Sequence, residues 1–397
     1  MAIFSVRLPK HIHYGNKAFD HLGLEAAKLG KKALIISDPI MDQLGHVKKS
    51  ETLLNEAGLS TLSYLGIESE PTDIYVRAAL ELVQKNSVDV IVAVGGGSCI
   101  DTAKAVAVLA TNGGEISEFM GNKRLADKDS LPLIAVPTTA GTGSEATDVT
   151  VITNTSNNVK MMIKQPAFLP DVAIIDPVMS ATSPKGITSA TGVDALTHAI
   201  EAFISRKAQP FTDTLALEAI QLIMGSLRQA YNHGEDLEAR ERMAYAAMLA
   251  GAAFSNASVC LVHGMSRPIG AVFHVPHGIS NAMLLPAVLE YSKDACQERL
   301  ATIGRLLFPE LDGKTDAEAT DHLVAEIKQL CADLNIPNLK GWGIEEDLFE
   351  QVLDKMANDA LDSGSPQNNP RVPSHDEIKN LYRICFNYAF VNEPSVN

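Results

Sequence analysis

The chain has 397 residues, too many for one simple core and enough for two domains. Hydrophobic residues make up 46% and charged residues 20%, as in a soluble globular enzyme, and with aromatics at 5% the core has to be aliphatic and rich in alanine. A formal net charge of −15 speaks against a nucleic-acid backbone or an anionic membrane as the main partner, while leaving room for a local phosphate pocket.

The opening stretch MAIFSVRLPKHIHYG carries no apolar h-region and no cleavage pattern, so no export signal is expected. KKALIIS (31–37) reads as a strand, residues 42–59 as a helix, STLSYLG (60–66) as a strand and residues 73–84 as a helix. VDVIVAV (88–94) is a continuous apolar run, the pattern of a strand buried on both faces. Helical periodicity resumes over 98–109, and LIAVP (133–137), DVTVIT (148–153) and DVAIID (171–176) give further β-type segments. Strand and helix alternating at this spacing predict a mainly parallel sheet with crossover helices. Past about residue 180 long helical patterns take over: 187–204, 211–231, 236–254 and more to the carboxyl end. The expected architecture is therefore an α/β domain over 1–181 and an all-helical domain over 182–397.

The longest apolar stretch, 243–262, is interrupted by Ser255, Asn256 and Ser258 and consists mainly of small residues, which predicts a buried helix rather than a membrane span. Five scattered cysteines (Cys99, Cys260, Cys296, Cys331, Cys385) without a C-x-x-C pair fit reduced thiols in a cytoplasm. DSGSPQNNPRVPSHDE (362–377) is the one conspicuous polar, Pro-containing loop, either a surface connection or an active-site lid.

Gly95, Gly96, Gly97 and Ser98 follow a buried strand and open a helix. Glycines let the backbone approach a ligand, and free amides at a helix start favour negative charge, so the segment suits a pyrophosphate. The spacing is not G-x-G-x-x-G, and taken alone it also fits a tight turn. Asp38, at the end of the 31–37 strand, is placed to bind ribose hydroxyls and repel a 2′-phosphate. A second loop, PTTAGTGSE (137–145), gathers hydroxyls and glycines after the next strand. Two such loops after consecutive strands point to a dinucleotide cleft.

Asp194 and His198 stand four apart and project from one helix face with Glu201. By themselves they fit a solvated polar stripe on an amphipathic helix. Downstream, His263, His274 and His277 fall within fifteen residues of otherwise apolar sequence. Carboxylate and imidazole together suit iron(II) or zinc, acting as a Lewis acid on an alcohol oxygen. Spacing leaves open whether His274 or His277 is the ligand.

GGGSCIDTAKA (95–105), PTTAGTGSE, KMMI (160–163), DALTHAIEAF (194–203), VHGM (262–265) and PHGISNAMLLP (276–286) occur in an order that resembles the iron-containing, group III alcohol dehydrogenases of the dehydroquinate-synthase-like fold, over nearly the whole chain. The resemblance implies Asp194, His198, His263 and His277 as metal ligands, choosing His277 over His274. It implies Asp38, Gly95, Gly96, Gly97, Ser98, Asp101, Thr138, Thr139, Thr142 and Lys160 at the cofactor, with Phe254 near the nicotinamide. It further implies NAD rather than NADP, a small primary alcohol, diol or aldehyde as substrate, and a homo-oligomer.

One position departs from the pattern. Many members carry a second histidine four residues after the first, near the nicotinamide and substrate; here it is Arg267. An arginine stays protonated and cannot serve as a general acid or base. It would attract an acidic or polar substrate group, stack beside the cofactor, or pair with a carboxylate, and His274 becomes a candidate for proton relay. A metal-dependent lyase of the dehydroquinate-synthase type would need a denser set of Lys and Arg; a maleylacetate-reductase-like enzyme would lack the metal ligands; an inactive interaction protein would have no reason to keep both phosphate loops.

Overall fold

The computed structural model describes residues 3–157 and 159–390; the outermost residues of the two ranges expected for the domains, and residue 158, lie outside them. Among the described residues there are eight strands: β1 (His11–Tyr14), β2 (Lys32–Ile36), β3 (Ser60–Tyr64), β4 (Val90–Gly95), β5 (Leu133–Pro137), β6 (Val149–Asn154), β7 (Val159–Lys164) and β8 (Val172–Ile175). Between them run α1 (Leu22–Leu29), α2 (Pro39–Gln43), α3 (His46–Glu56), α4 (Asp73–Asn86) and α5 (Gly97–Asn112). After β8 come α6 (Pro177–Ser180), α7 (Lys185–Ile204), α8 (Pro210–Asn232), α9 (Leu237–Asn256) and α10 (Leu261–Phe273). The chain continues with α11 (His277–Ser292), α12 (Gln297–Leu307), α13 (Asp316–Asp333), α14 (Glu346–Asp362) and α15 (His375–Phe386). Among the described residues no strand follows β8.

Six strands form one parallel sheet in the order β1-β8-β5-β4-β2-β3, and β6 pairs antiparallel with β7 as a separate hairpin. Alternation along each inner strand feeds two cores. Leu34, Ile36, Ile91 and Ala93 face one side, while Ala33, Ile35, Val90, Val92 and Val94 face the other. Strand β2 has β3 on one flank and β4 on the other, so the winding direction reverses between β2 and β4. Open parallel sheets bind ligands outside the carboxyl ends of the strands at such a reversal. The residues found there are Asp38, two after β2, and the glycines that end β4.

Helix α1 and strand β7 were not foreseen, and two further elements differ from the sequence expectation. Strand β1 was not foreseen: HIHY is short and polar, and its partner β8 lies far along the chain. The single helix expected over 42–59 is two. Asp38 Oδ1 caps α2 by accepting from the Ile40 and Met41 amides, Pro39 occupies the first turn, and Gly45 at φ +81° forces a break before α3.

Helix α7 sits inside the helical half, packed by α8, α9 and α11. Its polar face is therefore not the solvated stripe that the spacing alone allows: Asp194, His198 and Glu201 are 1%, 4% and 1% exposed. The apolar stretch 243–262 is divided between α9 and α10, which meet at 102° and are largely buried. No single helix among the described residues is long and apolar enough to cross a membrane.

The loop after β5 joins the two halves. Gly143, at φ +60°, lies against Gly251 of α9 so closely that a Cβ on either would fall about 2.5 Å from the other's backbone. The turn that follows buries Glu145, and burial, partly offset by its own backbone amide and by Lys104, raises its carboxyl to about 7. Between pH 4.5 and 7 the folded chain holds this proton more tightly than the unfolded chain does, so stability falls as pH rises through that window. In Glu145→Gln this contribution, up to about 3 kcal/mol, is expected to vanish, and urea titrations at pH 5 and pH 7.5 should then differ less than in the parent.

Candidate metal centre and dinucleotide cleft

Helix α5 starts at Gly97, with Gly96 as N-cap and no side-chain cap on its first amides. Gly96, Gly97 and Ser98 remain partly exposed. The second loop faces them: a Cβ on Gly97 would come 2.9 Å from Thr142 Cγ2, and one on Gly96 would come 3.6 Å from Thr139 Cγ2. Thr138 continues β5 and donates its amide to the Gly95 carbonyl at 3.0 Å. A Cβ on Gly95 would lie 3.4 Å from Asp38 Oδ2, so this carboxylate borders the same cradle. Free amides, a helix start and hydroxyls around one concavity suit a pyrophosphate, and a carboxylate at the rim suits a ribose diol.

Asp101, expected at the cofactor, is hydrogen-bonded within the protein. Both of its oxygens are engaged inside the protein, Oδ1 by Ser144 Oγ at 2.5 Å and Oδ2 by the Val151 amide at 2.8 Å. It ties α5 to the second loop and to β6. Lys104, one turn on, was missed by the sequence reading. Its buried ammonium donates to Ser144 Oγ, Thr147 Oγ1 and the Val149 carbonyl at 2.7–2.9 Å, and burial lowers its pKa to about 8. Its signal was a lysine inside an otherwise apolar helix face.

Across the cleft, the ligand atoms of Asp194, His198, His263 and His277 lie within 4.8 Å of one another. Asp194 Oδ1 is 3.6 Å from His263 Nε2, 3.9 Å from His277 Nε2 and 4.0 Å from His198 Nδ1. Three helices supply them: α7 the first pair, α10 His263 and the first turn of α11 His277. Glu201 Oε2 accepts from His263 Nδ1 at 2.7 Å, which puts the ring proton there and leaves Nε2 bare toward the cluster. The same carboxylate accepts the Cys260 amide at 2.8 Å and the Val262 amide at 2.6 Å, anchoring the start of α10. Ser266 Oγ touches His277 Nδ1 at 3.3 Å.

The donors and acceptors of the cluster do not balance without a cation. Among the described residues its acceptors share one donor, Asn281 Nδ2, at 2.6 Å from Asp194 Oδ1, 3.0 Å from His263 Nε2 and 3.2 Å from His277 Nε2. An amide cannot satisfy three acceptors with its two hydrogens. His198 Nδ1 is buried and has no hydrogen-bond partner among the described residues. Burial drives the His198 ring down to about 4, with His263 adding to the effect and Asp194 and the Gly141 backbone opposing it. Burial likewise takes His277 to about 3. For Asp194, burial would raise the carboxyl, but His198, His277 and His263 hold it well below the carboxylate range. For His263 the burial that would lower the ring is outweighed by Glu201 and Asp194, and its pKa is raised. Two neutral rings and an ionised carboxylate, with His263 Nε2 turned toward them, suit a divalent ion, so the residues fit one.

A second grouping, His11, His13 and Glu25, is more exposed, and its carboxylate already holds the Lys28 ammonium at 2.7 Å.

The remaining expected site residues divide. Phe254 stacks on His198 with ring centroids 4.4 Å apart, at the edge of the cluster. Lys160, on β7, is ion-paired with Glu70 and reaches Gly270 of α10. Arg267 is half-buried on α10 one turn beyond His263. His274 is exposed, ends α10 in the left-handed conformation at φ +56°, and makes no hydrogen bond among the described residues. Within the segment 362–377 the stretch 365–369 packs inward, with Pro366 abutting Gly264, Asn368 donating to Ser258 Oγ and Asn369 to Ser292 Oγ, while Arg371, Val372 and Ser374 are exposed.

Comparison with known proteins shows the family. Residues 9–177 match the family model described as iron-containing alcohol dehydrogenase, and residues 188–386 match that of the Fe-containing alcohol dehydrogenase family, C-terminal. The chain belongs to the iron-containing alcohol dehydrogenase family. It is 40% identical to 1,3-propanediol dehydrogenase of Citrobacter freundii over 97% of this chain and 99% of that one. With an NAD-dependent methanol dehydrogenase of Bacillus methanolicus it shares 36% identity, over 93% and 96% of the two chains. A crystal structure of 1,3-propanediol oxidoreductase superposes with a TM-score of 0.93 at 39% identity, covering 97% of this chain and all of that one.

Glu201→Gln should weaken metal binding by about 10- to 100-fold, because an amide cannot accept from all three N–H groups. Chelator competition on the loaded protein measures the loss; unchanged affinity would separate Glu201 from the metal centre.

Proposed function

We propose that the protein is an NAD-linked, metal-dependent alcohol dehydrogenase for a small primary alcohol, diol or the corresponding aldehyde, with an α/β dinucleotide domain over 1–181 and a helical metal and substrate domain over 182–397. The observation that carries this is the juxtaposition of an acceptor-rich buried cluster with Phe254 at its edge and a cradle of free amides at the sheet's switch point.

A divalent ion bound by Asp194, His198, His263 and His277 supplies Lewis-acid polarisation of the alcohol or carbonyl oxygen, iron(II) being the expected ion and zinc compatible with the same donors. NAD supplies the hydride acceptor. The chain's own residues do the positioning. Amides of Gly95, Gly96, Gly97 and Ser98, with the hydroxyls of Thr138, Thr139 and Thr142, hold the pyrophosphate. Asp38 accepts from the ribose hydroxyls and repels a 2′-phosphate. Asp101 acts through the second loop that it holds, and Lys160 lines the cofactor side of the hairpin. Phe254 gives the nicotinamide a flat apolar wall beside His198 and helps to exclude water. Glu201 and Ser266 fix the orientation of His263 and His277.

A homo-oligomer in the cytoplasm fits the surface and the thiols. Ile3, Phe4, Val6 and Leu8 are exposed on an extended arm tied down by Arg7 and Asn256, an apolar strip that a second copy would cover. All five cysteines are buried and unpaired.

The deciding experiment follows NAD reduction with a panel of small alcohols and diols after anaerobic loading with iron(II), after zinc(II) loading, and with a chelator. Reduction with a metal and loss of at least ~100-fold with the chelator are expected; metal-free protein that turns over equally fast, or that binds no metal, would sink the proposal. Asp38→Gly should bring NADP use to within about tenfold of NAD use, the scale of one lost charge repulsion. Discrimination equal to the parent's would remove Asp38 from that role.

A further inference from the structure

Helix α10 turns one face toward the candidate centre. His263, Ser266, Arg267 and Gly270 stand at i, i+3, i+4 and i+7 and share that face. His263 belongs to the cluster, Ser266 touches His277, and Gly270 abuts the Lys160 ammonium. Arg267 lies between them, one helical turn from a metal ligand.

The surroundings of its guanidinium are unusual for a cation. Nη1 donates to Ser365 Oγ at 2.9 Å and Nη2 to Met162 Sδ at 3.1 Å, and a thioether is a weak acceptor. Among the described residues no carboxylate lies within ion-pair distance, and the remaining N–H groups have no partner. The other acidic and basic groups nearby are spoken for. Lys160 pairs with Glu70, Glu201 is held by two amides and His263, and Asp194 is shared among the imidazoles. Burial lowers the Arg267 pKa to about 10, which still leaves it charged at neutral pH. A half-buried arginine without an anion is costly unless something else brings the anion.

We propose that Arg267 is an oxyanion-binding residue of the substrate pocket, and that the enzyme's preferred substrate is a short alcohol or aldehyde carrying a carboxylate, sulfonate or phosphonate at its other end. Planar, forked donors match such groups. Ser365 and Met162 hold the guanidinium, and Pro366 abuts Gly264 on the same helix, so the segment 362–368 and β7 border the Arg267 end of the site. This rests on the dehydrogenase reading above. In the oxidative direction the CH2OH carbon gives a hydride to NAD+ and the hydroxyl gives its proton to solvent. The products are the aldehyde and NADH, and the acid group is unchanged.

The test compares kcat/KM of the iron-loaded enzyme for 3-hydroxypropanoate and 2-hydroxyethanesulfonate with that for 1,3-propanediol and propan-1-ol. At least one acid should exceed both neutral alcohols by tenfold or more. Arg267→Met should cut that ratio at least tenfold, and Arg267→Lys should restore part of it. Equal use of acid and neutral substrates, or a ratio unchanged in Arg267→Met, overturns the proposal and leaves the dehydrogenase reading standing. Calorimetric titration of ethanesulfonate into the metal- and NAD-loaded protein reads the same subsite without turnover. Binding at least tenfold weaker in Arg267→Met supports it; equal binding, or binding seen only without NAD, overturns it, the latter by giving Arg267 to the cofactor's phosphates.

Discussion

A carboxylate that accepts three N–H bonds in the interior governs how the helical half is assembled. Glu201 takes the amides of Cys260 and Val262 and the Nδ1 of His263, so one side chain on α7 fixes both where α10 begins and how its first histidine is turned. The 102° bend between α9 and α10 lies just before this anchored start. The first turn of a helix has no internal partners for its amides, and here Glu201 supplies them for two, Cys260 and Val262. Once α10 is set, the rest of its inward face is set too, down to Arg267 and Gly270. A buried charge of this kind is retained because removing it would strand two amides and a ring at once.

The joint between the halves serves a second purpose. Gly143 and Gly251 bring the second loop and α9 into backbone contact, and Asp148 meets Ser255 and Lys164 a few residues on. The threonines that face the glycine-rich turn belong to that same loop. The wall of the cleft is thus rigid because it is also the seam of the protein. Lys104 and Asp101 reinforce it from inside, and one of them is a charge that an apolar helix keeps only because hydroxyls and a carbonyl surround it.

How much of this was legible in the sequence depends on the range of the interaction. Strands β2, β4 and β5 were readable because a segment buried on both faces is apolar without alternation, and α7 to α9 because their periodicity is long. Strand β1 was not, since its only partner is remote in sequence and its residues are half exposed. Asp194, His198 and Glu201 could be put on one helix face, but a helical projection is blind to which neighbour covers that face. Similarly, His274 and His277 are indistinguishable by spacing; folding exposes the first at a helix end and opens α11 with the second. The environment of Arg267 is written in two distant segments, β7 and the loop after α14, and no local pattern contains it.

His198 stands where the two ligand systems touch. Its ring lies under Phe254 and against the Gly141 backbone, which belongs to the loop that faces the glycine-rich turn. A dinucleotide that reshaped that loop on binding would act on a side chain of the acceptor-rich cluster, and by linkage the converse would hold with the same magnitude. The occupancy of one site and the affinity of the other are then a single linked quantity: whatever factor the nucleotide applies to the metal's dissociation constant, the metal applies to the nucleotide's.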